Sequence, residues 1–329
     1  MKDKVLVVGG AGYIGSVAVA MLLDTGHDVA VFDSLERGHK EALDPRARFY
    51  HGNLMDRERI MQVCRECRPH VAMHFSAYAL VGESMENPSL YFRNNFSAGI
   101  NLLDALVDVR TRMIIFSSTC ATFGVPETLP ITEKNPQVPT NPYGESKLMF
   151  EKALIWYDRL HGLKHVALRY FNAAGATETL GEDHDPETHL IPNVLRVALG
   201  QKEYVSVFGV DYPTPDGTCI RDYIHIQDLC NAHLLAMDLT HSAQYNLGNG
   251  EGYSVLQVIK TAREITGHPI PAREEARRPG DPPVLVGSSE KIKTELGWKP
   301  DYPDIADIIR SAWEWHKRHP HGYGATPLR

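Results

Sequence analysis

No stretch of this 329-residue chain approaches the run of about 20 apolar residues that a membrane-spanning helix requires. Positive charge is scarce too. Lysines and arginines number 34 against 41 aspartates and glutamates, a formal net charge of −7 with histidines neutral. A chain of that sign lacks the basic surface that nucleic acid demands, so no nucleic-acid partner is expected. Cysteine is sparse, at Cys64, Cys67, Cys120, Cys219 and Cys230 only. Cys64 and Cys67 form a C-x-x-C inside a helical run, with no second pair at zinc-like spacing. The odd count, together with a strand in place of an apolar leader at the amino end, predicts reduced thiols and a cytoplasmic location. Internal repeats, low-complexity tracts and Gly/Ser-rich linkers are also missing. Solenoids and disordered arms are thereby excluded, and two lobes, if present, must interleave. The 43% of hydrophobic residues can fill one large core or two unequal ones.

Against those absences stand two local signals. Val5-Leu6-Val7-Val8 is a short, mostly β-branched run that reads as a strand. Gly9-Gly10-Ala11-Gly12-Tyr13-Ile14-Gly15 follows at once, and a helical pattern then runs from Ile14 to Thr25 and closes at Gly26. Val29-Ala30-Val31-Phe32 is a second buried strand ending at Asp33. Glycines in this context permit a tight turn, close approach to a pyrophosphate and close helix packing, with the phosphates at a helix N-terminus. Asp33 stands where an acid bonds a ribose 2′-hydroxyl, and its charge repels a 2′-phosphate. The expected cofactor is therefore NAD rather than NADP.

The second signal is Tyr143 and Lys147, in Asn141-Pro142-Tyr143-Gly144-Glu145-Ser146-Lys147. Residues four apart share a helix face, so phenol and ammonium can point into one cleft. Alone, such a pair would be a solvated helix face. Downstream of a dinucleotide loop it reads as a proton acceptor beside a bound cofactor. A cation within about 4–6 Å is expected to pull the phenol pKa down from its usual value near 10.

Strands and helices alternate through the first half. Arg48-Phe49-Tyr50, Val71 to Phe75, Met113-Ile114-Ile115-Phe116 and His165 to Tyr170 read as strands. Asp56 to Cys67, Leu90 to Val109 and Tyr143 to His161 read as helices. The expected fold is α/β, a doubly wound parallel sheet of Rossmann type. After Asn172 the pattern loosens, with helical stretches near Leu190–Leu199, Asp228–Leu239, Val255–Thr266 and Ile305–Arg318. The expected division is 1–172 for the cofactor and 173–329 for a smaller, interleaved mixed α/β substrate unit. Segments near 222–247 are expected to return to the first unit.

Several runs converge on one family. His74-Phe75-Ser76-Ala77, Val81-Gly82-Glu83-Ser84, Phe116-Ser117-Ser118-Thr119, Arg169-Tyr170-Phe171-Asn172, the run from Tyr212 to Tyr223, Tyr245-Asn246-Leu247-Gly248 and Arg277-Arg278-Pro279-Gly280-Asp281 join the two signals above. With them, the chain resembles the UDP-glucose 4-epimerases of the extended short-chain dehydrogenase/reductases over nearly its whole length. The resemblance implies that Tyr143 is the acid/base and that Thr119 bonds the sugar 4-oxygen. Lys147 would bond the nicotinamide ribose and lower the tyrosine pKa. It further implies NAD contacts from Gly9, Gly12, Tyr13, Ile14 and Gly15 in the loop, and from Asp33 and Ser34 after the second strand. Asn53, Leu54, Phe75, Ser76, Ala77, Asn94, Ser117 and Tyr170 complete that set, together with Tyr143 and Lys147. Around the UDP-sugar it implies Thr119, Asn172, His189, Leu190, Ser206, Phe208, Arg221, Tyr223, Arg278, Asp281 and Leu285, with Arg221 and Arg278 gripping the diphosphate. The chain departs from the family at Ala79, where lysine is frequent, at Asn53, where aspartate is frequent, and at Tyr78, where a smaller residue is common.

The resemblance also implies the chemistry. Tyrosinate takes the 4-hydroxyl proton while C4 gives hydride to NAD. The 4-keto sugar turns over and is reduced on its other face, with no metal needed. A nucleotide-sugar 4,6-dehydratase would need acidic residues after Thr119, where Cys120 and Ala121 stand. A UDP-uronate or UDP-pentose 4-epimerase stays open, and a non-catalytic NAD-binding sensor is the alternative outside enzymes. Leu285 falls where tyrosine confines relatives to plain hexoses, so weaker activity on UDP-N-acetyl sugars is expected. The family also implies a homodimer through the helices around Leu90–Val109 and Tyr143–His161.

Overall fold

The computed structural model describes residues 2–278 and 281–324. The first half alternates as β1 (Lys4–Val8), α1 (Tyr13–Asp24), β2 (Asp28–Asp33), β3 (Arg48–His51), α2 (Arg57–Cys67), β4 (Val71–His74), α3 (Val81–Glu86), α4 (Pro88–Tyr91), α5 (Ala98–Asp108), β5 (Met113–Thr119), α6 (Pro142–His161) and β6 (Lys164–Tyr170). The second half follows as β7 (Asn172–Ala174), α7 (Leu190–Ala198), β8 (Val205–Phe208), β9 (Ile220–His225), α8 (Ile226–Ala236), β10 (Ala243–Leu247), β11 (Gly252–Ser254), α9 (Val255–Thr266), β12 (Ala272–Glu275), β13 (Val284–Leu285), α10 (Glu290–Leu296) and α11 (Ile305–Arg318).

Seven strands form one parallel sheet in the order β10-β6-β5-β4-β1-β2-β3. Its inner strands β1, β4 and β5 are nearly continuous apolar runs because both faces are covered, whereas the edge strand β3 is partly exposed. In β1, Val5 and Val7 enter the core under α1 and α8, whereas Leu6 and Val8 enter the core under α2, α5 and α6. Val29, Val31, Val71, Met73, Met113 and Ile115 repeat that alternation on the first face. The second half contributes to this sheet directly, since β10 pairs with β6 and α8 covers it beside α1.

The remaining strands build two small sheets. In one, β9 pairs with β7, β11 and β13. In the other, β8 pairs with β12. A third core joins α7, α9 and α11. Strand order reverses between β1 and β4, so the crevice that binds ligands in such sheets opens at their carboxyl ends.

The helix expected from Leu90 to Val109 is continuous from Pro88 to Asp108 but widens in its middle. Between α4 and α5 the turn Phe92–Ser97 widens to a π-helix. Asn95 is the cause visible in that turn. Its amide exchanges two hydrogen bonds of 2.9 Å with the backbone of Tyr78 and donates to Ser146 Oγ at 3.2 Å. A widened turn re-aims a side chain in this way. The helix α8 also stops at Ala236, short of the expected Leu239.

Candidate active site

The glycine loop runs from the end of β1 into α1. Gly9 has φ +84°, and a Cβ there would lie 2.5 Å from Ser76 N. A Cβ on Gly15 would lie 2.1 Å from Gly9 O. Both glycines are thus required by close packing within the protein. Gly12 is different, because a Cβ there would meet only Gly9 O, at 3.5 Å. That position is open toward the crevice. The first turn of α1 has neither a capping side chain nor an acidic residue, so its N–H groups and dipole suit a pyrophosphate.

Asp33 is more occupied than its sequence role implied. Its carboxylate accepts from Ala11 N at 2.9 Å and Leu35 N at 2.8 Å, fixing the loop that it was expected to serve only through the ribose. Each oxygen keeps a further lone pair for a hydroxyl. Phe75 and Ser76 both donate from their backbone to Val8 O, which seats them against the loop, and Ala77 follows them. Ser34 Oγ accepts from Glu36 N, and Asn53 Oδ1 from Met55 N at 2.8 Å. Leu54 is buried, its carbonyl taking Asn101 Nδ2 at 2.9 Å. Asn94 donates to Asn95 Oδ1. Tyr13 donates through its hydroxyl to Gly175 O at 2.6 Å, joining α1 to the segment after β7, while Ile14 packs on the first core. Ser117 and Tyr170 share a hydroxyl–hydroxyl bond.

The amino end of α6 carries the reacting group. Asn141 caps it by accepting from Gly144 N at 2.9 Å, and Pro142 opens it. A Cβ on Gly144 would lie 2.4 Å from Ala121 O, so only glycine allows this turn to press on the loop after β5. That approach sets the Tyr143 phenol beside the Thr119 hydroxyl, near enough for the hydroxyl to lower its pKa. Lys147, one turn on, donates to Ser117 O at 2.8 Å and stands 4.8 Å from the Phe116 ring centroid.

The electrostatics correct one expectation. Burial raises the Tyr143 phenol, the neighbouring Thr119 hydroxyl lowers it in part, and the outcome is about 12. The Lys147 ammonium is held by the Ser117 carbonyl. Burial also presses Lys147 down to about 7, against a raising influence from Glu151.

Glu151 itself was missed in the sequence. It lies one turn beyond Lys147 and is 5% exposed. It accepts from Ser118 Oγ at 2.5 Å and from Arg169 in a fork of 3.0 and 2.6 Å. Its spacing from Lys147 on a helix that buries Leu154 could have revealed a charge on the inner face.

On the substrate side the placements differ among the expected residues. Arg221 is paired with Asp281, and Arg278 lies over the Phe208 ring at 4.0 Å from its centroid. Asp281 thus occupies the Arg221 guanidinium, while both arginines act on Cys219. Pro279 and Gly280, between Arg278 and Asp281, lie outside the described residues. Asn172 donates to Asp222 O at 2.9 Å beside Tyr223 in the β7–β9 register. Tyr223 is 5% exposed and belongs to the third core. His189 and Leu190 start α7, Ser206 sits on β8 as does Phe208, and Leu285 packs on Cys120, Phe123, Ile131 and Phe171. Cys64 and Cys67 are both buried and free in the second core. Burial raises both thiols, Cys67 to about 11, which leaves them unreactive.

A family model described as NAD dependent epimerase/dehydratase matches residues 5–248. The chain belongs to this family. Within the NAD dependent epimerases it is 52% identical over 328 residues to a UDP-glucose 4-epimerase of Streptococcus mutans, covering 97% of this chain and 98% of the relative. It is 50% identical over 326 residues to that of Lacticaseibacillus casei, at 97% and 98% coverage. The crystal structure of UDP-glucose 4-epimerase from Bifidobacterium longum in complex with NAD+ and UDP superposes with a TM-score of 0.93 at 38% identity, covering 97% and 99% of the two chains. The protein is an NAD-dependent epimerase with the fold of these enzymes.

Proposed function

We propose that the chain interconverts UDP-galactose and UDP-glucose by oxidation at C4, rotation of the 4-keto sugar and reduction from the other face. The observation that carries this reading is Tyr143 at the amino end of α6 beside Thr119 at the end of β5, together with the free space at Gly12 before α1. Bound NAD supplies a hydride acceptor that becomes the donor in the return step. Tyr143 takes the proton of the sugar 4-hydroxyl and gives it back, and Thr119 holds the same oxygen at the correct distance. Lys147 fixes the Ser117 carbonyl and offers its remaining hydrogens to a ribose.

The loop glycines, α1, Asp33, Phe75, Ser76 and Tyr170 form the cofactor wall. His189, Leu190, Ser206, Phe208, Arg278, Asn172 and Leu285 stand on the side of the UDP-sugar. Arg221 reaches a diphosphate by exchanging Asp281 for it. Residues 1–172 act as the cofactor unit and 173–329 as the substrate unit, with β10 and α8 lending support to the first. Leu285 leaves room beside the sugar, which supports weaker turnover of UDP-N-acetyl sugars.

Two further readings accompany this one. Ile155, Trp156 and Leu160 are 37%, 57% and 70% exposed on α6, which supports a homodimer through that helix. Among the described residues no helix is long and apolar enough to cross a membrane, and free buried cysteines accord with a cytoplasmic enzyme. Assay of a panel of UDP-sugars for C4 epimers tests the function. Conversion of UDP-galactose is expected, and conversion of UDP-uronates or UDP-pentoses alone would overturn the substrate.

A further inference from the structure

Between β7 and α7 the chain reads Glu182-Asp183-His184-Asp185-Pro186-Glu187-Thr188-His189. Four of these side chains turn toward one point. His184 Nδ1 lies 3.1 Å from Glu182 Oε1 and 3.7 Å from Glu187 Oε2. His189 Nδ1 lies 2.9 Å from Glu182 Oε1 and 2.9 Å from Glu187 Oε1. All four donors fall within 4.8 Å of one another. Bonds of about 2.0–2.2 Å to a tetrahedral ion place neighbouring donors roughly 3.3 Å apart, so these atoms already stand at ligand spacing.

The charges inside the cluster also call for a cation. The side chains of Glu182 and Glu187 are 5% and 0% exposed, two carboxylates removed from water side by side. Glu187 Oε2 is buried with no hydrogen-bond partner. Either protons on both imidazoles or one dication must offset that charge. His184 and His189 keep 30% and 42% of their side chains exposed, which leaves a path of entry.

Glu187 Oε1 also accepts from His189 N at 2.7 Å at the start of α7, and residues outside the four hold the segment as well. The Asp183 carboxylate accepts from Tyr323 N at 3.0 Å, His39 reaches Asp183 O at 2.9 Å, and Arg37 bonds Asp185 O at 2.5 Å. The His184 ring stands edge-on to Tyr13 at 6.1 Å, the first residue of α1.

We propose that Glu182, His184, Glu187 and His189 form a binding site for a divalent transition metal of the zinc type, joining the start of α7 to the Tyr13 end of α1. Two imidazoles and two carboxylates suit zinc and its neighbours, not magnesium or calcium, which take oxygen alone. The ion is structural and stands outside the proton chemistry of Tyr143.

The test loads chelator-stripped protein, with its nucleotide retained, with zinc and measures bound metal by mass spectrometry and calorimetry. One zinc per chain is expected, with a raised melting temperature and no competition from a hundredfold excess of magnesium. His184→Ala and Glu187→Gln should each weaken binding by more than about 100-fold, beyond the loss expected for an outer-shell partner. A Cys64→Ser, Cys67→Ser double variant should bind zinc as the parent does. Cobalt in the parent should give visible ligand-field bands without thiolate charge transfer, a readout that stands even where a variant fails to fold. Failure to retain stoichiometric metal, undiminished binding by His184→Ala, or a thiolate signature with cobalt would each overturn the proposal.

Discussion

The Lys147 ammonium donates to the Ser117 carbonyl at 2.8 Å, so the lysine of the Tyr–Lys pair is held by the end of β5 rather than by the tyrosine. The next residue of that strand repeats the pattern, the Ser118 hydroxyl donating to Glu151. Two consecutive residues of β5 therefore hold two residues of α6 one helical turn apart, and Thr119 lies beside Tyr143 one turn before them.

Tyr143→Phe removes the proton acceptor and leaves the ring in place. Epimerisation should fall by about 10²–10⁴-fold, with NAD and UDP retention unchanged. Steady-state assay beside nucleotide content after heat denaturation measures both. Near-native turnover would remove Tyr143 from the chemistry.

Thr119→Val deletes the neighbouring hydroxyl that lowers the phenol pKa, which burial nonetheless leaves at about 12. Losing a lowering influence raises the pKa, so less phenolate exists at any given pH. The rise of kcat with pH should move to more alkaline pH in the variant. Lys147 is untouched by this change, so its own discharge as pH rises through about 7 should remain in both profiles. Coincident profiles would contradict the role given to Thr119.

Glu151→Gln breaks a buried ion pair from one side and strands Arg169, which is 5% exposed. The expected loss is about 3–5 kcal/mol. Chemical denaturation read by fluorescence measures it. A loss below about 1 kcal/mol, the range of an exposed pair, would show that the fork is not what fixes β6 to α6.

Leu285→Tyr fills space beside Cys120 and Phe171 at the sugar end. Activity on UDP-N-acetylgalactosamine should vanish while that on UDP-galactose persists. Parallel loss of both activities, or a parent enzyme inert toward the N-acetyl sugar, would remove Leu285 as the determinant of choice.

The parallel sheet was legible because its inner strands are nearly continuous apolar runs between helices of clear period, as with Val5 to Val8 and Met113 to Phe116. The glycine loop and the Tyr143–Lys147 pair were legible from local spacing. What escaped depends on partners distant in sequence. Asn95 widens the α4–α5 turn through Tyr78, Arg169 on β6 finds Glu151 on α6, and Asp281 finds Arg221 across 60 residues. The direction of the Tyr143 pKa also escaped, because helical spacing shows that two groups share a face but not which carbonyl the ammonium meets.

The central claim is that one bound nicotinamide cofactor cycles while only C4 of the sugar inverts. Proton NMR of UDP-galactose incubated with the purified protein, without added cofactor, tests this most directly. The expected result is UDP-glucose as sole product, formed over many turnovers per enzyme-bound NAD. A 4-keto-6-deoxy product, or an unchanged spectrum with NAD bound, would contradict it.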